Sequence, residues 1–306
     1  MQPITDCTLC PRNCHANRQN SAKGYCGQPQ SIRIARIAPH YWEEPFLSGK
    51  KGSGTVFFCG CNLRCCYCQN SVLLSPEAGT EVSPAQLEAL ILDLQEKGVH
   101  NINLVTAPHY THQLVPVLQN LRRNGLKIPI IWNSSAYEST ETLQMLEGLV
   151  DIYLPDYKYS SPAAAKEYSN AMDYPQVALD AIREMLRQVG SPQMDETGMM
   201  YKGVQVRHLV LPGHSKESRQ ALYQLYQAFG EQIGLSIMNQ YTPMPQVADH
   251  PLLSRRVTQK EYESVIRYAL QIGWQNALIQ EEDAATESFI PHFALTEEQM
   301  EKIRQN

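Results

Sequence analysis

The stretch TVFFCGCNLRCCYCQN, residues 55–70, holds five of the chain's nine cysteines within ten residues. Three of them, Cys61, Cys65 and Cys68, have the spacing Cys-x3-Cys-x2-Cys. They follow a β-branched and aromatic run, 55–58, that predicts a strand. A four-iron cluster that only transfers electrons takes four cysteine ligands, so a set of three leaves one iron open to another ligand. The stretch therefore predicts an iron-sulfur cluster that also binds a small molecule.

Zinc is the alternative metal for these three thiols. Structural zinc takes four ligands, usually as two pairs separated by a dozen or more residues, and three ligands within eight residues fit that pattern poorly. Cys59 and Cys66 are left over from the set. We expect both to be small buried apolar residues.

A second set of cysteines, Cys7, Cys10, Cys14 and Cys26, lies near the N-terminus and forms a complete set of four ligands. The spacing does not decide whether this set binds zinc or an iron-sulfur cluster. The Cys10-Pro11 pair is typical of ferredoxin loops, whereas the long gap before Cys26 is typical of zinc knuckles. Because residues 1–30 are too few and too poor in large apolar side chains to bury a core, we expect a metal to order them.

Composition narrows the class of protein. The chain has 306 residues, of which 43% are apolar, so it can bury a full core. It has no apolar run of about 18 residues and no visible signal peptide, which predicts no membrane association. All nine cysteines precede Val72, and their clustering favours metal ligation in a reducing compartment, so we expect a cytoplasmic protein.

The net charge of −5 argues against a general nucleic-acid binder. Residues 1–70 nevertheless carry eight Lys or Arg against three Asp or Glu. This basic segment is either a solvated face or a docking surface for an acidic partner or RNA phosphates.

From residue 83 onward, strand patterns alternate with helix patterns. The predicted barrel strands are 55–58, 102–106, 129–133, 149–154, 204–211 and 235–239, and flanking strands are predicted at 31–37 and 277–280. The predicted helices are 83–98, 112–124, 140–147, 163–169, 175–189, 217–229, 258–273 and 296–305. Six alternating strands predict an α/β fold, a partial (β/α)6 barrel of the TIM type. We expect a cysteine-rich N-terminal extension with a second metal site (1–50), the barrel (51–245) and a C-terminal helical cover (246–306).

Polar residues follow the predicted barrel strands, where parallel α/β folds place their active sites. They suit an amino-acid-like ligand, since Arg binds a carboxylate through two bonds and Asp accepts from an ammonium or a ribose hydroxyl. Glu43 and Glu44 lie in the loop before the first barrel strand, and we expect them to be exposed to solvent; the alternative is that they line the substrate side. The polar set is Thr106, Pro108, His109, Asn133, Ser134, Ser135, Asp156, Lys158, Arg207, Pro212, Gly213, Asn239 and Gln240.

The phrase CNLRCCYC resembles the signature of the radical S-adenosylmethionine enzymes. Further phrases, NINLVTAPHY, VDIYLPDYKY, VRHLVLPG and MNQYTPM, resemble pyruvate formate-lyase activating enzyme and its relatives, above all the PflX-like radical proteins, over nearly the whole chain. The resemblance implies that Cys61, Cys65 and Cys68 hold a [4Fe-4S] cluster that binds S-adenosylmethionine. It also implies that Tyr67 contacts the adenine and that Asp156, Lys158 and Arg207 contact S-adenosylmethionine. From their position after a predicted strand we add Asn133 and Ser135 to this cofactor site, with helix caps as their alternative role.

By this resemblance the chain is an oxidoreductase that cleaves S-adenosylmethionine reductively and abstracts hydrogen from a substrate, such as a glycyl residue of a partner enzyme. The implied electron donor is a flavodoxin or a ferredoxin. Two phrases depart from many relatives: Thr106-Ala107-Pro108-His109 replaces a Gly-Gly-Glu phrase, and Gln240-Tyr241 replaces a Tyr-His phrase. These departures leave open an RNA or small-metabolite substrate. A non-catalytic zinc-binding interaction module is the alternative from a different class.

Overall fold

A mostly parallel sheet forms the centre of the structure, a computed structural model that describes residues 4–20, 24–75, 77–280 and 291–305. Within them the sheet order is β10-β9-β8-β6-β5-β4-β2-β1-β3, and β7 pairs with β8 beside this path. The strands are β1 (Ile32–His40), β2 (Ser53–Phe58), β3 (Thr80–Val82), β4 (Ile102–Val105), β5 (Ile130–Ser134), β6 (Ile152–Pro155), β7 (Gln193–Met194), β8 (Met200–Leu209), β9 (Gly234–Met238) and β10 (Ala277–Ile279).

Strands β2, β4, β5, β6, β8, β9 and β10 run parallel, whereas β1, β3 and β7 pair antiparallel with their neighbours. The first six parallel strands are the six predicted from the sequence. The α/β partial barrel is therefore confirmed.

Helices connect the parallel strands and cover the sheet. Two of them begin where the sequence predicts, because capping boxes fix their first turns. Ser83 accepts from the backbone of Gln86 while the Gln86 side chain accepts from the backbone of Ser83, and Thr258 and Glu261 do the same for α8. The helices are α1 (Pro45–Ser48), α2 (Pro84–Glu96), α3 (Thr111–Arg123), α4 (Thr140–Gln144), α5 (Pro162–Ser169), α6 (Tyr174–Val189), α7 (Ser215–Phe229), α8 (Gln259–Ile272) and α9 (Glu297–Gln305).

Four boundaries differ from the prediction by three residues or more. One is the start of β8, which lies at Met200 and not at residue 204. Strand β1 continues to His40 because that residue still pairs with Ser53 across the antiparallel ladder. Helix α4 ends at Gln144, and β6 begins only at Ile152. Leu149 lies between them in a turn, where its N–H donates to Leu146 O (2.9 Å), so its apolar side chain was not evidence of a strand.

The short helix α1 closes the amino-terminal end of the barrel. Its Leu47 is fully buried and packs against Ile131, Ile152, Leu154 and Met200. This apolar plug fills the barrel below the carboxyl ends of the strands. The other end remains open, as in other parallel α/β barrels, and a cavity lies there.

The C-terminal residues reach both edges of the sheet. Strand β10 extends one edge by pairing with β9, and α9 contacts α2 near the other edge. The proposed boundaries at residues 50 and 245 stay a prediction. Within the described residues, no helix is both long and apolar enough to span a membrane.

Candidate active site

A cavity of about 540 Å³ opens at the carboxyl ends of the parallel strands. Its volume is within the range of pockets that enclose small molecules. Cys61, Cys65 and Cys68 line it from the loop that follows β2. The structure also places at this cavity all six residues of the expected cofactor site, Tyr67, Asn133, Ser135, Asp156, Lys158 and Arg207.

The cysteine loop, residues 59–70, is held by backbone contacts from distant parts of the chain. Cys66 N donates to Tyr168 O (2.8 Å), and Gln246 Nε2 donates to Cys68 O (2.8 Å). Burial raises the pKa of Cys61 and raises that of Cys68 to about 12. Since a metal ligand must be the thiolate, loading a metal on these thiols releases protons.

Arg207 is the centre of a hydrogen-bonded charge network in the cavity. Its Nε donates to Asp156 Oδ1 (2.8 Å), one terminal nitrogen donates to Asn133 Oδ1 (2.7 Å) and the other to Glu43 Oε2 (3.2 Å). Lys158 Nζ donates to the second Asp156 oxygen at 2.6 Å. The sequence predicted four of these five residues, which three different strand ends bring together.

The network sets the charge of its members. Burial by itself would raise the pKa of Asp156, but the neighbouring Arg207 and Lys158 cations hold it below its usual range. Burial likewise opposes the charge on Lys158, and Asp156 outweighs it, so the pKa of Lys158 is raised. All three groups are therefore ionised at neutral pH.

Two buried carboxylates form the floor of the cavity, and the prediction that both are exposed is wrong. Glu44 is buried, and only 9% of the Glu43 side chain is exposed. The plug α1 draws the preceding loop into the barrel, where Asn103 Nδ2 donates to Glu43 Oε1 at 2.9 Å. Burial raises the pKa of both acids, and Arg207 only partly offsets it. Loop position in the sequence gave no signal of this burial.

Tyr67 is enclosed by aromatic neighbours at one wall. Its ring meets those of Tyr159, Tyr168 and Tyr241 edge to face at 6.1–6.4 Å. Its hydroxyl accepts from the Tyr159 hydroxyl (2.9 Å). These contacts fix the ring, so Tyr67 presents a rigid aromatic surface to the cavity.

The structure also tests the expected positions of His109, of Cys59 and Cys66, and of the two residues after β9. His109 faces away from the cavity: its Nε2 lies 2.7 Å from Cys59 O, and burial lowers its pKa to about 3. Cys59 is buried as expected, but Cys66 is exposed, because its position in the loop between two lining cysteines turns it outward. Of the residues after β9, Gln240 lines the cavity and Asn239 does not.

The N-terminal cysteines lie beside the cysteine loop. Cys7, Cys10 and Cys26 are buried and Cys14 is partly exposed. Among the residues that the structure describes, no group of three or more Cys, His, Asp or Glu side chains is arranged to hold a single metal ion. A four-iron cluster takes one thiolate on each iron, so its ligands do not converge on one point.

A comparison with known families matches the radical SAM superfamily over residues 55–226, more than half of the chain. The chain belongs to the radical SAM superfamily. Membership implies an enzyme that uses a [4Fe-4S] cluster and S-adenosylmethionine. Membership in this superfamily also argues against the alternative that the chain is a non-catalytic zinc-binding module.

A curated relative, the protein MJ0674 of Methanocaldococcus jannaschii, is 26% identical over 271 residues, which are 86% of this chain and 74% of the relative. Among solved structures, Streptococcus suis SuiB bound to the precursor peptide SuiA gives a TM-score of 0.48 at 10% identity, covering 73% of this chain and 47% of that chain. SuiB bound to S-adenosylmethionine gives 0.47 at 10% identity, covering 73% and 46%. The chain thus spans about half the length of SuiB.

The residues at the cavity fit the cofactors that the family implies. Within the described part of the chain, three cysteines line the cavity, which matches the ligand count of a cluster with one open iron. Beside them lie an ionised Asp, a Lys and an Arg, which can bind the carboxylate and ammonium of an amino acid.

Proposed function

We propose that this radical SAM enzyme abstracts hydrogen from a substrate at the open end of its barrel, and that a glycyl residue of a partner enzyme is that substrate. The proposal rests on one observation: three cysteines and the Arg207 network line the same cavity. The resemblance to pyruvate formate-lyase activating enzyme, and to the PflX-like proteins in particular, supplies the glycyl substrate.

In this proposal Cys61, Cys65 and Cys68 hold the [4Fe-4S] cluster. When bound to these thiols, the cluster would supply the electron for reductive cleavage of S-adenosylmethionine to methionine and a 5′-deoxyadenosyl radical. The chain's own residues position the reactants. Tyr67 provides a fixed ring for the adenine, and Asp156, Lys158 and Arg207 bind the charged groups of the methionine and the ribose hydroxyls.

Asn133 and Ser135 complete the binding site from the end of β5. Asn133 is held by Arg207, while the backbone carbonyl of Ser135 accepts from the Tyr174 hydroxyl (3.0 Å). These bonds fix the β5 end before any ligand arrives. A preformed site loses less entropy when the cofactor binds.

The charge of the cavity does not select the substrate class. Among the described residues, its lining carries three acids, Glu43, Glu44 and Asp156, and three cations, Arg64, Lys158 and Arg207. Burial raises the pKa of Glu43 and Glu44 and so opposes their ionisation. The glycyl substrate is therefore proposed on the resemblance, and RNA or a small metabolite stays the alternative.

The test is cleavage of S-adenosylmethionine by anaerobically reconstituted protein reduced with dithionite. We expect wild type to yield 5′-deoxyadenosine and methionine, and Cys61→Ala, Cys65→Ala and Cys68→Ala to yield neither. The matched control is Cys66→Ala, which removes a cysteine of the same loop that does not line the cavity, and it should retain cleavage. Wild-type protein with a loaded cluster but no more product than the three variants would refute the proposal.

The substrate is then identified by isotope transfer. A partner enzyme or a peptide deuterated at the candidate glycine should pass deuterium into 5′-deoxyadenosine. Transfer from a deuterated metabolite, with none from the glycine, would favour the alternative.

A further inference from the structure

The N-terminal segment, residues 4–20 and 24–30, carries four cysteines that the proposed radical chemistry does not use. Apart from one turn of 3-10 helix at Arg18–Asn20, its described residues form no helix or strand. Backbone bonds such as His15 N to Cys7 O (3.1 Å) and Asn13 N to Cys10 O (3.0 Å) fold it around its own cysteines. Its own apolar cluster is small and is built on Ile4, Cys7 and Leu9. A core of this size does not hold the segment by itself, and contacts with the barrel, such as Thr142 Oγ1 to Leu9 O (2.8 Å), also fix it.

The four thiols of this segment lie near one another. The thiol of Cys26 is within electrostatic range of those of Cys7, Cys10 and Cys14. Gly24 leaves room for one of them, because a Cβ at Gly24 would come within 2.7 Å of Cys14 Sγ. Four thiols saturate a four-iron cluster and leave no iron open, so this set is suited to electron transfer alone.

The segment is attached to the loop that carries the other three cysteines. Arg12 donates to Asn62 O (2.8 Å) and to Leu63 O (3.2 Å) in that loop. It also donates to Ser169 O (2.8 Å) at the end of α5. One side chain therefore joins both cysteine-bearing segments and the barrel wall.

A backbone hydrogen bond connects the two cysteine sets directly. Cys61 N donates to Cys26 O at 3.3 Å. Gly60 permits this approach, since its φ is +84° and a Cβ there would lie 2.7 Å from Cys26 O. The path from Cys26 Sγ to Cys61 Sγ thus runs through the two cysteines' own covalent bonds and one hydrogen bond.

We propose that Cys7, Cys10, Cys14 and Cys26 hold a second [4Fe-4S] cluster that relays electrons to the cluster on Cys61, Cys65 and Cys68. A one-electron donor of the flavodoxin or ferredoxin class is oxidised by one electron and reduces the second cluster. That cluster is then reoxidised as it reduces the first, and no proton or group is transferred. The relay rests on the proposed function, whereas the presence of the second cluster does not.

The position of Cys14 supports this direction of flow. Cys14 is partly exposed, whereas the other three cysteines of its set are buried. A protein donor can approach the N-terminal segment from solvent, whereas Cys61, Cys65 and Cys68, which are also partly exposed, line the cavity that S-adenosylmethionine would occupy. Zinc in the same four thiols could not carry an electron, so the metal itself decides between relay and structural site.

The first experiment quantifies iron, sulfide and zinc in anaerobically reconstituted protein. Two four-iron clusters predict about eight iron per wild-type chain and about four in a Cys10→Ala, Cys14→Ala double variant. Cys66→Ala, which removes an exposed cysteine outside both sets, should keep the wild-type value. Loss of one zinc in place of four iron, or no change in either metal, would overturn the proposal.

A measurement on wild type avoids dependence on a variant that fails to fold. Electron paramagnetic resonance of the fully reduced protein should show two cluster spins per chain, and S-adenosylmethionine should shift only one of the two signals. A single spin per chain would show that the second cluster is absent.

The relay is tested by comparing two reductants on the double variant. Dithionite is small and should reduce the first cluster directly, so cleavage should stay within about twofold of wild type. Reduced flavodoxin should support cleavage at least tenfold more slowly than in wild type. Equal rates with flavodoxin, or equal losses with both reductants, would refute the relay. If wild type itself cleaves nothing while the variant still loses four iron, the proposed function fails and the second cluster stands.

Discussion

The Arg207 side chain has two roles, since it belongs to the proposed cofactor site and also stabilises the fold. It donates to Asp156, Asn133 and Glu43, and only 13% of its side chain is exposed. Removing its charge would leave buried carboxylates unpaired, at a cost of about 3–5 kcal/mol in stability. A test of its role in the cofactor site must therefore keep the charge.

Arg207→Lys keeps the positive charge but lacks the planar guanidinium group, which can donate two parallel hydrogen bonds. We expect this variant to fold and to keep wild-type iron, because the hydrogen bonds of Arg207 go to Asp156, Asn133 and Glu43. Losing one charge-assisted bond to S-adenosylmethionine costs about 1.5–3 kcal/mol, or about ten- to a hundredfold in affinity. The apparent KM for S-adenosylmethionine should rise by this factor. Iron loss in proportion to the lost activity would instead make Arg207 a structural residue.

Glu138 is a second residue whose burial has a measurable consequence. It receives hydrogen bonds from Trp132 Nε1 (2.8 Å) and from Ser134 Oγ, and so fixes the loop after β5. Burial raises its pKa to about 7 despite these two bonds. The unfolded chain ionises at the ordinary lower value, so the favourable contribution of the neutral acid is complete below about pH 4.5 and is lost as pH rises through about 7.

Glu138→Gln should therefore gain stability relative to wild type as pH rises. A shift of this size corresponds to about 3 kcal/mol between the acidic and basic limits. Gln retains an acceptor for Trp132 and a donor for Ser134, so the loop should keep its conformation. Thermal unfolding of both proteins at pH 5 and pH 8 measures the difference. If the melting temperatures of the two proteins differ by the same amount at pH 5 and at pH 8, ionisation of Glu138 does not destabilise the folded state.

Local sequence signals predicted the parallel strands and the longer helices, but not the short elements α1, β3 and β7. The capping boxes of α2 and α8 are contained in four residues each, and their geometry needs no tertiary contact to be recognised. The order of the strands followed from their alternation with helices. The end of β6 therefore placed Asp156 and Lys158 correctly at the cavity before any contact was known.

Several failures share a physical origin, since they depend on packing between distant segments. Glu43 and Glu44 are buried only because α1 inserts into the barrel and draws its preceding loop inside. His109 turns away from the cavity because Cys59, 50 residues earlier, offers it a carbonyl. The hydrogen bond between Cys26 and Cys61 likewise joins two motifs that the sequence presents as separate.

The described C-terminal residues from 291 onward contact parts of the chain that are remote in sequence. Arg36 donates to His292 O (3.0 Å), and the Phe293 ring packs edge to face on Phe57, a residue of the cavity wall. Gln86 Nε2 donates to Ile303 O (2.6 Å) between α2 and α9. These contacts agree with the proposal that residues 246–306 cover the barrel.

Gln299 is the buried anchor of that segment, and its loss should open the segment locally while the barrel stays folded. Its side-chain amide donates to Ile37 O on β1, and only 7% of the residue is exposed. Gln299→Ala leaves that carbonyl unpaired, which costs about 1–3 kcal/mol. Because local opening follows its own free energy, amides of 297–305 should exchange about five- to a hundredfold faster. Glu301→Ala, at an exposed position of the same helix, is the control and should exchange like wild type. If the amides of α9 exchange equally slowly in both variants, other contacts hold α9 in place. If exchange becomes faster in β4 and β5 to the same extent, the substitution destabilises the whole fold and does not open the C-terminal segment locally.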